Sequence, residues 1–189
     1  MIRRLFLATL ATTLAAGAFA GSPPKRDTGK RAGDFSFESI DGGPLDLAQF
    51  RGRPVIVVNT ASRCGYVGQY DGLQALWSRY RDRGLVVIGV PSDDFGGQEL
   101  DSEAAVKDFC ETNFSIDFPM TAITKVRGPA AHPFYLWAAG ALGGAKAPRW
   151  NFHKYLVDGD GALVAAFGTG VEPDGPRIRD AVERLLPAG

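Results

Sequence analysis

Apolar residues along the chain fall into short blocks with two different spacings. Two blocks are continuous and rich in β-branched residues, Pro54–Ala61 (PVIVVNTA) and Leu85–Val90 (LVVIGV). Runs of this length are typical of strands buried on both faces of a sheet. Between the two blocks, apolar residues recur at helical spacing up to Gly84, at Tyr70, Leu73, Leu76, Trp77 and Tyr80. The pattern therefore predicts a strand, a helix and a second strand in succession.

A further helix is predicted after the second strand. A polar loop runs from Pro91 to about Asp101, and Ser102 is a suitable N-cap for the helix that follows it. Alternating strands and helices imply parallel strands joined by right-handed crossovers, with ligand sites beyond the carboxyl ends of the strands. Cys64 and the loop after Pro91 occupy those positions, so a functional site is expected there.

Shorter patterns predict elements at both ends of the domain. Phe35–Leu47 has alternating apolar residues around a glycine turn and predicts an N-terminal β-hairpin. Near the carboxyl end, Tyr155–Val157 and Ala162–Phe167 flank the turn sequence Asp-Gly-Asp-Gly, which predicts a second hairpin. Two short helices complete the pattern, one near His132–Ala139 and one over Ile178–Leu185.

The first 20 residues have the pattern of an export signal. Arg3 and Arg4 precede an apolar stretch, and Ala18-Phe19-Ala20 forms a small-x-small cleavage site. The apolar stretch is shorter than the roughly 20 residues needed to span a bilayer. We therefore predict a signal peptide over 1–20, a flexible leader over 21–33 and one domain over 34–189, with an uncleaved anchor as the alternative. The product is expected in the periplasm or another extracytoplasmic compartment, without stable membrane insertion.

The charge balance bears on the partners of the protein. Basic and acidic residues number 21 each, and removing the signal peptide leaves 19 basic against 21 acidic residues. This small negative charge, with no basic run interleaved with aromatics, gives no indication of a nucleic acid or anionic membrane partner. A small neutral substrate fits better.

The chain has two cysteines, Cys64 and Cys110, which permit one intramolecular disulfide in an oxidising compartment. Cys64 lies between the first buried strand and the following helix. The positive end of a helix dipole and free backbone N–H groups favour the thiolate, which is the reactive form of cysteine. A lone cysteine is more often an inert core residue, so this placement by itself leaves the function open.

Two segments closely resemble the glutathione peroxidase family, Asn59–Glu99 and Arg149–Gly161 (RWNFHKYLVDGDG). The resemblance spans most of the mature chain and implies a thiol peroxidase that needs no cofactor or metal. It also implies an α/β, thioredoxin-like fold with a central mixed β-sheet flanked by helices and an N-terminal β-hairpin. The residues that match the family's catalytic motifs are Cys64, Gln98, Trp150 and Asn151.

The chemistry of the three companions of Cys64 fits that role independently of the family. Gln98 and Asn151 carry amide N–H donors, and Trp150 carries an indole N–H donor. Donors to a sulfur anion favour the thiolate, and they also stabilise the oxygen that leaves when a peroxide bond breaks. Taken singly, Trp150 is equally consistent with core packing, and Gln98 and Asn151 are each better explained by a loop hydrogen bond.

The resemblance also gives a role to Cys110, which lies on an apolar helical face with Val106 and Phe109. In two-cysteine family members, a cysteine in this helix resolves the sulfenic acid of the reactive cysteine as a disulfide. A thioredoxin-like protein is then the expected reductant, with glutathione less favoured, and the short segment between His132 and Trp150 resembles that of monomeric members. A buried structural thiol or a static disulfide is the alternative for Cys110.

The chain departs from the family pattern after the second strand. Ser92 stands where many members have a cysteine, and Asp93 and Asp94 add carboxylates that would disfavour the reactive thiolate if they faced it. The histidines, His132 and His153, have no second histidine or acid at metal-ligand spacing, so neither is expected to bind a metal.

Two other functions remain open from the sequence. A thiol-disulfide carrier of the thioredoxin class would share the strand–cysteine–helix arrangement, but carriers generally need a close C-x-x-C pair, and Cys64-Gly-Tyr-Val67 has one cysteine. A non-catalytic binding or redox-sensing module with a static Cys64–Cys110 disulfide is the second. Such a bridge would resist mild dithiols, whereas a catalytic disulfide would be reduced readily.

Overall fold

The structure is a computed structural model that describes residues 29–187. The predicted signal peptide and most of the predicted leader lie outside these residues. The described chain forms the strands β1 (Ser36–Glu38), β2 (Pro44–Asp46), β3 (Val55–Thr60), β4 (Val86–Pro91), β5 (Lys154–Val157) and β6 (Leu163–Phe167). Its α-helices are α1 (Gln69–Tyr80), α2 (Glu103–Phe114), α3 (Pro133–Ala141) and α4 (Pro176–Glu183).

Four of the strands form a mixed sheet in the order β4-β3-β5-β6. Strands β3 and β4 are parallel, with Val57 opposite Ile88, whereas β5 is antiparallel to both β3 and β6. The two remaining strands pair as an antiparallel hairpin, with Phe37 opposite Leu45. The predicted mixed sheet and N-terminal hairpin are therefore confirmed.

The sheet separates two apolar cores, and alternate residues of β3 enter each of them. Ile56 and Val58 pack in the core that holds residues of α1, α2 and α4, while Val55 and Val57 pack in the core that holds residues of α3 and the N-terminal hairpin. All six residues of β3 are buried. A strand covered on both faces favours apolar side chains on both, which explains the continuous run from Val55 to Val58. Asn59 and Thr60 are buried polar residues at the end of this strand.

The ends of the folded region differ slightly from the sequence pattern. Ala32 lies within the segment assigned to the leader, but it is buried and its amide donates to the Gly161 carbonyl at 2.8 Å. Gly161 has φ +78°, and a Cβ there would come within 3.1 Å of Arg31.

Among the described residues, no helix is long and apolar enough to cross a bilayer.

Candidate active site

Cys64 lies in the loop between β3 and α1, and its side chain is 3% exposed. The loop folds as successive turns, in which the Val67 amide donates to the Cys64 carbonyl at 2.9 Å. The Tyr66 amide donates to the Cys64 sulfur at 3.5 Å. Because α1 begins only at Gln69, the N–H group that contacts the sulfur comes from the loop and not from the first helical turn.

The loop after β4 is fastened to the Cys64 loop by two hydrogen bonds. The Arg63 amide donates to the Gln98 carbonyl at 2.8 Å. The Ser62 amide donates to the Glu99 carboxylate at 3.0 Å. These bonds hold Gln98 beside the segment that carries Cys64.

Asn151 joins the same region from the segment before β5. Its side chain is fully buried, and Nδ2 donates to the Oε1 of Gln98 at 3.0 Å. The Thr169 hydroxyl donates to the Asn151 carbonyl at 2.7 Å, which fixes the backbone on the other side. Since Gln98 uses its oxygen to accept from Asn151, its own amide nitrogen remains available as a donor.

Trp150 precedes Asn151 and is more exposed. Its carbonyl accepts from the Asn59 side chain at 3.2 Å, which ties the segment to the end of β3. The indole ring lies against Phe95, with ring centroids 5.9 Å apart, and 40% of the residue is exposed. Trp150 therefore combines a fixed backbone with a ring that solvent can reach.

These contacts bring the segments of Cys64, Gln98, Trp150 and Asn151 together beyond the carboxyl ends of β3 and β4, where the sequence places the site. The arrangement needs no acid–base triad, because amide and indole N–H groups serve as the polar groups. That these donors act on the Cys64 sulfur during the reaction stays a prediction.

Cys110 is fully buried in α2 and belongs to the same apolar core as Cys64. Both cysteines are free thiols. Burial raises the pKa of Cys110 to about 11, whereas the neighbouring Tyr70 hydroxyl acts to lower it. A buried thiol with this pKa is almost entirely protonated at neutral pH, so it is a poor nucleophile until it loses its proton.

The acidic residues of the loop after β4 are held by backbone groups and a lysine. Asp94 accepts from the amides of Val126 and Arg127 at 2.6 and 3.1 Å, and it pairs with Lys125 at 3.1 Å. Ser92 is fully buried, and its hydroxyl accepts from the Asp94 amide at 3.4 Å. The carboxylate of Asp94 therefore fixes the position of the 125–127 segment.

Both histidines pack against aromatic rings, and one of them also caps a helix. His132 caps α3 by accepting from the Phe134 amide at 3.2 Å, and its ring stacks on Phe37 with centroids 4.0 Å apart. His153 is 6% exposed and packs edge-on against Tyr155. Burial is the main cause that lowers the pKa of each ring, to about 4 for His153. No group of His, Cys, Asp or Glu within residues 29–187 is arranged to hold a metal ion.

Lys154 is a buried residue that the sequence pattern does not single out. Its ammonium group donates to the Gln69 side chain, to the Val171 carbonyl at 2.7 Å and to the Thr169 carbonyl at 3.4 Å. It therefore joins the start of α1 to the loop after β6. The sequence feature that indicates this role is a lysine at the start of an otherwise apolar strand. A charged residue inside a sheet needs a buried partner.

Glu99 is a second buried charged residue that the sequence pattern does not single out. The sequence motif ends on this residue, yet its burial follows only from the meeting of the two loops. Its carboxyl is 2% exposed, and burial is the largest cause that raises its pKa.

Comparison with known proteins gives consistent matches. The sequence profile of the glutathione peroxidase family matches residues 33–139. A hydroperoxy fatty acid reductase of Synechocystis is 42% identical over 160 residues, covering 80% of this chain and 94% of the relative. A glutathione peroxidase-like peroxiredoxin of Chlamydomonas reinhardtii is 37% identical over 156 residues, covering 82% and 95%.

Solved structures extend the likeness to three dimensions. The crystal structure of T. cruzi GPX1 is similar at a TM-score of 0.65 and 33% identity, covering 84% of this chain and 95% of that one. A thioredoxin family protein from Chlorobium tepidum has a TM-score of 0.61 at 19% identity, covering 88% and 99%, which shows a shared thioredoxin-like fold alone.

Proposed function

Because the chain belongs to the glutathione peroxidase family and is a thiol peroxidase, we propose that it reduces hydroperoxides through Cys64 and forms a Cys64–Cys110 disulfide in each cycle. The observation that carries this proposal is the partly buried hydrogen bond from Asn151 to Gln98, next to the loop of Cys64. That bond preorganises two amide groups beside a cysteine, which an inert core thiol does not require.

The proposed cycle has three steps. The Cys64 thiolate attacks the distal oxygen of the hydroperoxide, and the O–O bond breaks. The leaving oxygen takes up the proton that the Cys64 thiol released on ionisation, so the products are a sulfenic acid and water or an alcohol. The Cys110 sulfur then displaces the hydroxyl group from the Cys64 sulfur, forming the disulfide and water. An external dithiol returns both cysteines to thiols.

The substrate is proposed to be hydrogen peroxide, an organic hydroperoxide or both. Two aromatic side chains near the site are exposed, Tyr66 at 45% and Trp150 at 40%. Exposed apolar surface beside a reactive group favours contact with an apolar substrate. A relative named as a hydroperoxy fatty acid reductase supports the organic hydroperoxide.

A thioredoxin-like protein is proposed as the reductant, ahead of glutathione. Relatives from Chlamydomonas reinhardtii and Schizosaccharomyces pombe are named glutathione peroxidase-like peroxiredoxins, in support of a dithiol-recycled enzyme. Comparing turnover with reduced thioredoxin and with glutathione at equal thiol concentration tests this choice. Faster turnover with glutathione would overturn it.

We also propose export with cleavage after Ala20, and a monomer as the mature form. The support is the basic start, apolar stretch and small-x-small site of residues 1–20. N-terminal sequencing of the protein from a periplasmic fraction should give Gly21 as the first residue. Retention of Met1 in a membrane fraction would favour the uncleaved anchor. Light scattering on the mature protein should give the mass of one chain, as expected for a monomer.

The central experiment is peroxide oxidation of the mature protein followed by intact mass. Wild type should lose two thiols as one disulfide, Cys110→Ser should stop at a sulfenic acid, and Cys64→Ser should show no rapid reaction. The two serine variants are matched controls for each other, because each removes one thiol from the same core.

The alternatives predict different outcomes in the same experiment. A thiol-disulfide carrier would exchange with a protein dithiol but consume peroxide no faster than a free thiol. A static module would hold a disulfide from the start and resist mild dithiols.

A further inference from the structure

Thr169 is a half-buried residue in the loop after β6, and no step of the proposed cycle uses it. Its hydroxyl donates to the Asn151 carbonyl at 2.7 Å. The side-chain amide of Asn151 in turn donates to Gln98 at 3.0 Å. Thr169 is therefore one contact away from a side chain that we propose serves the reaction of Cys64.

The backbone next to Asn151 is strained. Phe152, the following residue, has φ +59°, a conformation that bulky residues rarely adopt, and its side chain is fully buried. A residue in this conformation persists only where its surroundings hold it, and such residues cluster at functional sites. The direction of the Asn151 side chain therefore depends on the contacts that hold this segment.

Two groups of contacts hold the segment, one from the end of β3 and one from the loop after β6. Asn59 donates through its side chain to the Trp150 carbonyl at 3.2 Å, and its carbonyl accepts from the Phe152 amide at 2.6 Å. The Thr169 hydroxyl contacts the carbonyl that lies between these two groups, which belongs to Asn151. Asn59 thus holds the flanking residues, and Thr169 holds Asn151 itself.

A buried ammonium group fixes the position of Thr169. The Thr169 carbonyl accepts from the Gln69 side chain at 2.7 Å and from the Lys154 ammonium at 3.4 Å. Lys154 is fully buried, and it also donates to the Gln69 side chain and to the Val171 carbonyl at 2.7 Å. These three acceptors match the three donors of an ammonium group. The loop after β6 is therefore fastened on its inner side, so the Thr169 hydroxyl is a fixed donor.

We propose that Thr169 is a positioning residue for the reaction of Cys64 with peroxide. Its hydroxyl holds the backbone of Asn151 in place, and the Asn151 amide group is thereby kept beside Gln98. Thr169 acts through Asn151 and not by contact with the reacting atoms. A displacement of about 1 Å in a catalytic group can slow a reaction by about 100-fold. This inference rests on the proposed peroxidase function.

The test compares two substitutions of Thr169 that differ in one hydroxyl. Thr169→Val keeps the shape of the side chain and lacks the donor, whereas Thr169→Ser keeps the donor. Every protein in the test carries Cys110→Ser, so that oxidation stops at the sulfenic acid, and this single variant is the parent. The quantity measured is the second-order rate of Cys64 oxidation by hydrogen peroxide under stopped flow.

The two substitutions should have different effects on this rate. Thr169→Val should lower it about tenfold, because the Asn151 amide group is no longer held in place. Thr169→Ser should stay within about twofold of the parent, because its hydroxyl still donates to the Asn151 carbonyl.

A double-mutant cycle separates positioning from a general structural role. If Thr169 acts through Asn151, Thr169→Val should change the rate by no more than about twofold once Asn151→Ala is present. A general loss of structure would instead slow the reaction equally with and without Asn151→Ala. Urea unfolding of each variant verifies that it is folded under the conditions of the rate measurement.

The matched control is Thr124→Val. Thr124 is also half-buried, and its hydroxyl donates to the Ala122 carbonyl at 2.7 Å, away from the Asn151 segment. Its rate should stay within about twofold of the parent. A Thr169→Val rate equal to that of the parent, or the same loss with Asn151→Ala present, would overturn the inference while the peroxidase function stands. Absence of a rapid reaction in the parent itself would instead overturn the proposed function, and this inference with it.

Discussion

At the scale of single residues, the site depends on side chains that are buried with incomplete hydrogen bonding. Asn151 donates to Gln98, but its own oxygen has no partner among the described residues. Unpaired polar atoms are costly in a core, and they persist where a ligand or a reaction uses them. We therefore expect Asn151 to serve the chemistry of the site.

Replacing Asn151 with alanine should slow the attack of Cys64 on hydrogen peroxide by about 100-fold, the usual cost of removing one preorganised donor. The measurement is the second-order rate of thiol loss under stopped flow. Asn113→Ala is the matched control, because Asn113 is exposed and its amide donates only to the Phe109 carbonyl at 2.8 Å. A rate within threefold of wild type for Asn151→Ala would contradict this role.

The buried ring of His153 should make stability depend on pH. Its pKa is lowered to about 4, chiefly by burial and further by Lys154 and Lys146. The unfolded chain, with an ordinary histidine pKa near 6.5, therefore binds more protons between these values. The free energy of unfolding should fall as pH decreases from about 6.5 to about 4.

The variant His153→Gln should lose this contribution, which is at most about 3 kcal/mol. Urea unfolding at pH 7 and pH 4.5, for wild type and variant, gives the difference directly. His132 remains in both proteins, so its own lowered pKa cancels from the comparison. An equal fall in stability for the two proteins would rule out His153 as its source.

At the scale of elements, the site is built by loops that are fastened to one another. The loop after β3 bonds to the loop after β4 through Arg63 and Ser62, and the segment before β5 bonds to the end of β3. Helix α2 carries the second cysteine and covers the same core. Strands fix where these loops begin, and the hydrogen bonds between loops fix how the side chains meet.

The N-cap of α2 offers a test of how stably this helix is held. The Ser102 hydroxyl accepts from the Ala105 amide at 3.3 Å, which satisfies one of the free N–H groups of the first turn. Ser102→Ala should reduce the free energy of unfolding by about 1 kcal/mol in denaturant titration. Ser78→Ala is the comparison, because Ser78 lies exposed within α1 and alanine is a better helix former. Equal effects of the two substitutions would show that the cap contributes nothing.

At the scale of the whole molecule, we expect the proposed two-cysteine cycle to involve movement, because Cys110 lies within a formed helix. Cys110 is fully buried on the inner face of α2, and a disulfide needs the two Cα atoms within about 7 Å with suitable directions. Helix α2 should therefore open locally when the disulfide forms.

Amide hydrogen exchange tests this movement. Exchange across α2 should be at least about tenfold faster in the oxidised protein than in the reduced protein. Helix α4 serves as the internal reference, since it packs through Ile178 and Val182 on the same sheet face and carries no cysteine. Identical exchange of α2 in both forms would mean that the disulfide forms without opening the helix.

The sequence by itself determined the order of elements, because each depends on local pattern. The run of β3 has no polar break until Asn59, and Ser102 marks the start of α2. Local pattern likewise places Cys64 between a buried strand and a helix. The family motifs further indicated which four residues to examine, although periodicity alone would have left Gln98 and Asn151 as ordinary loop residues.

Tertiary structure alone decided the surroundings of those residues. The antiparallel placement of β5 beside β3 brings Asn151 to Gln98, and no local pattern encodes that pairing. The burial of Glu99 and Lys154 follows from contacts between segments far apart in the chain. Burial depends on which segments cover a group, and those segments determine its pKa and which of its polar atoms find a hydrogen-bond partner. The surroundings of each polar group were therefore settled by packing, whereas the positions of these groups along the chain were settled by the sequence.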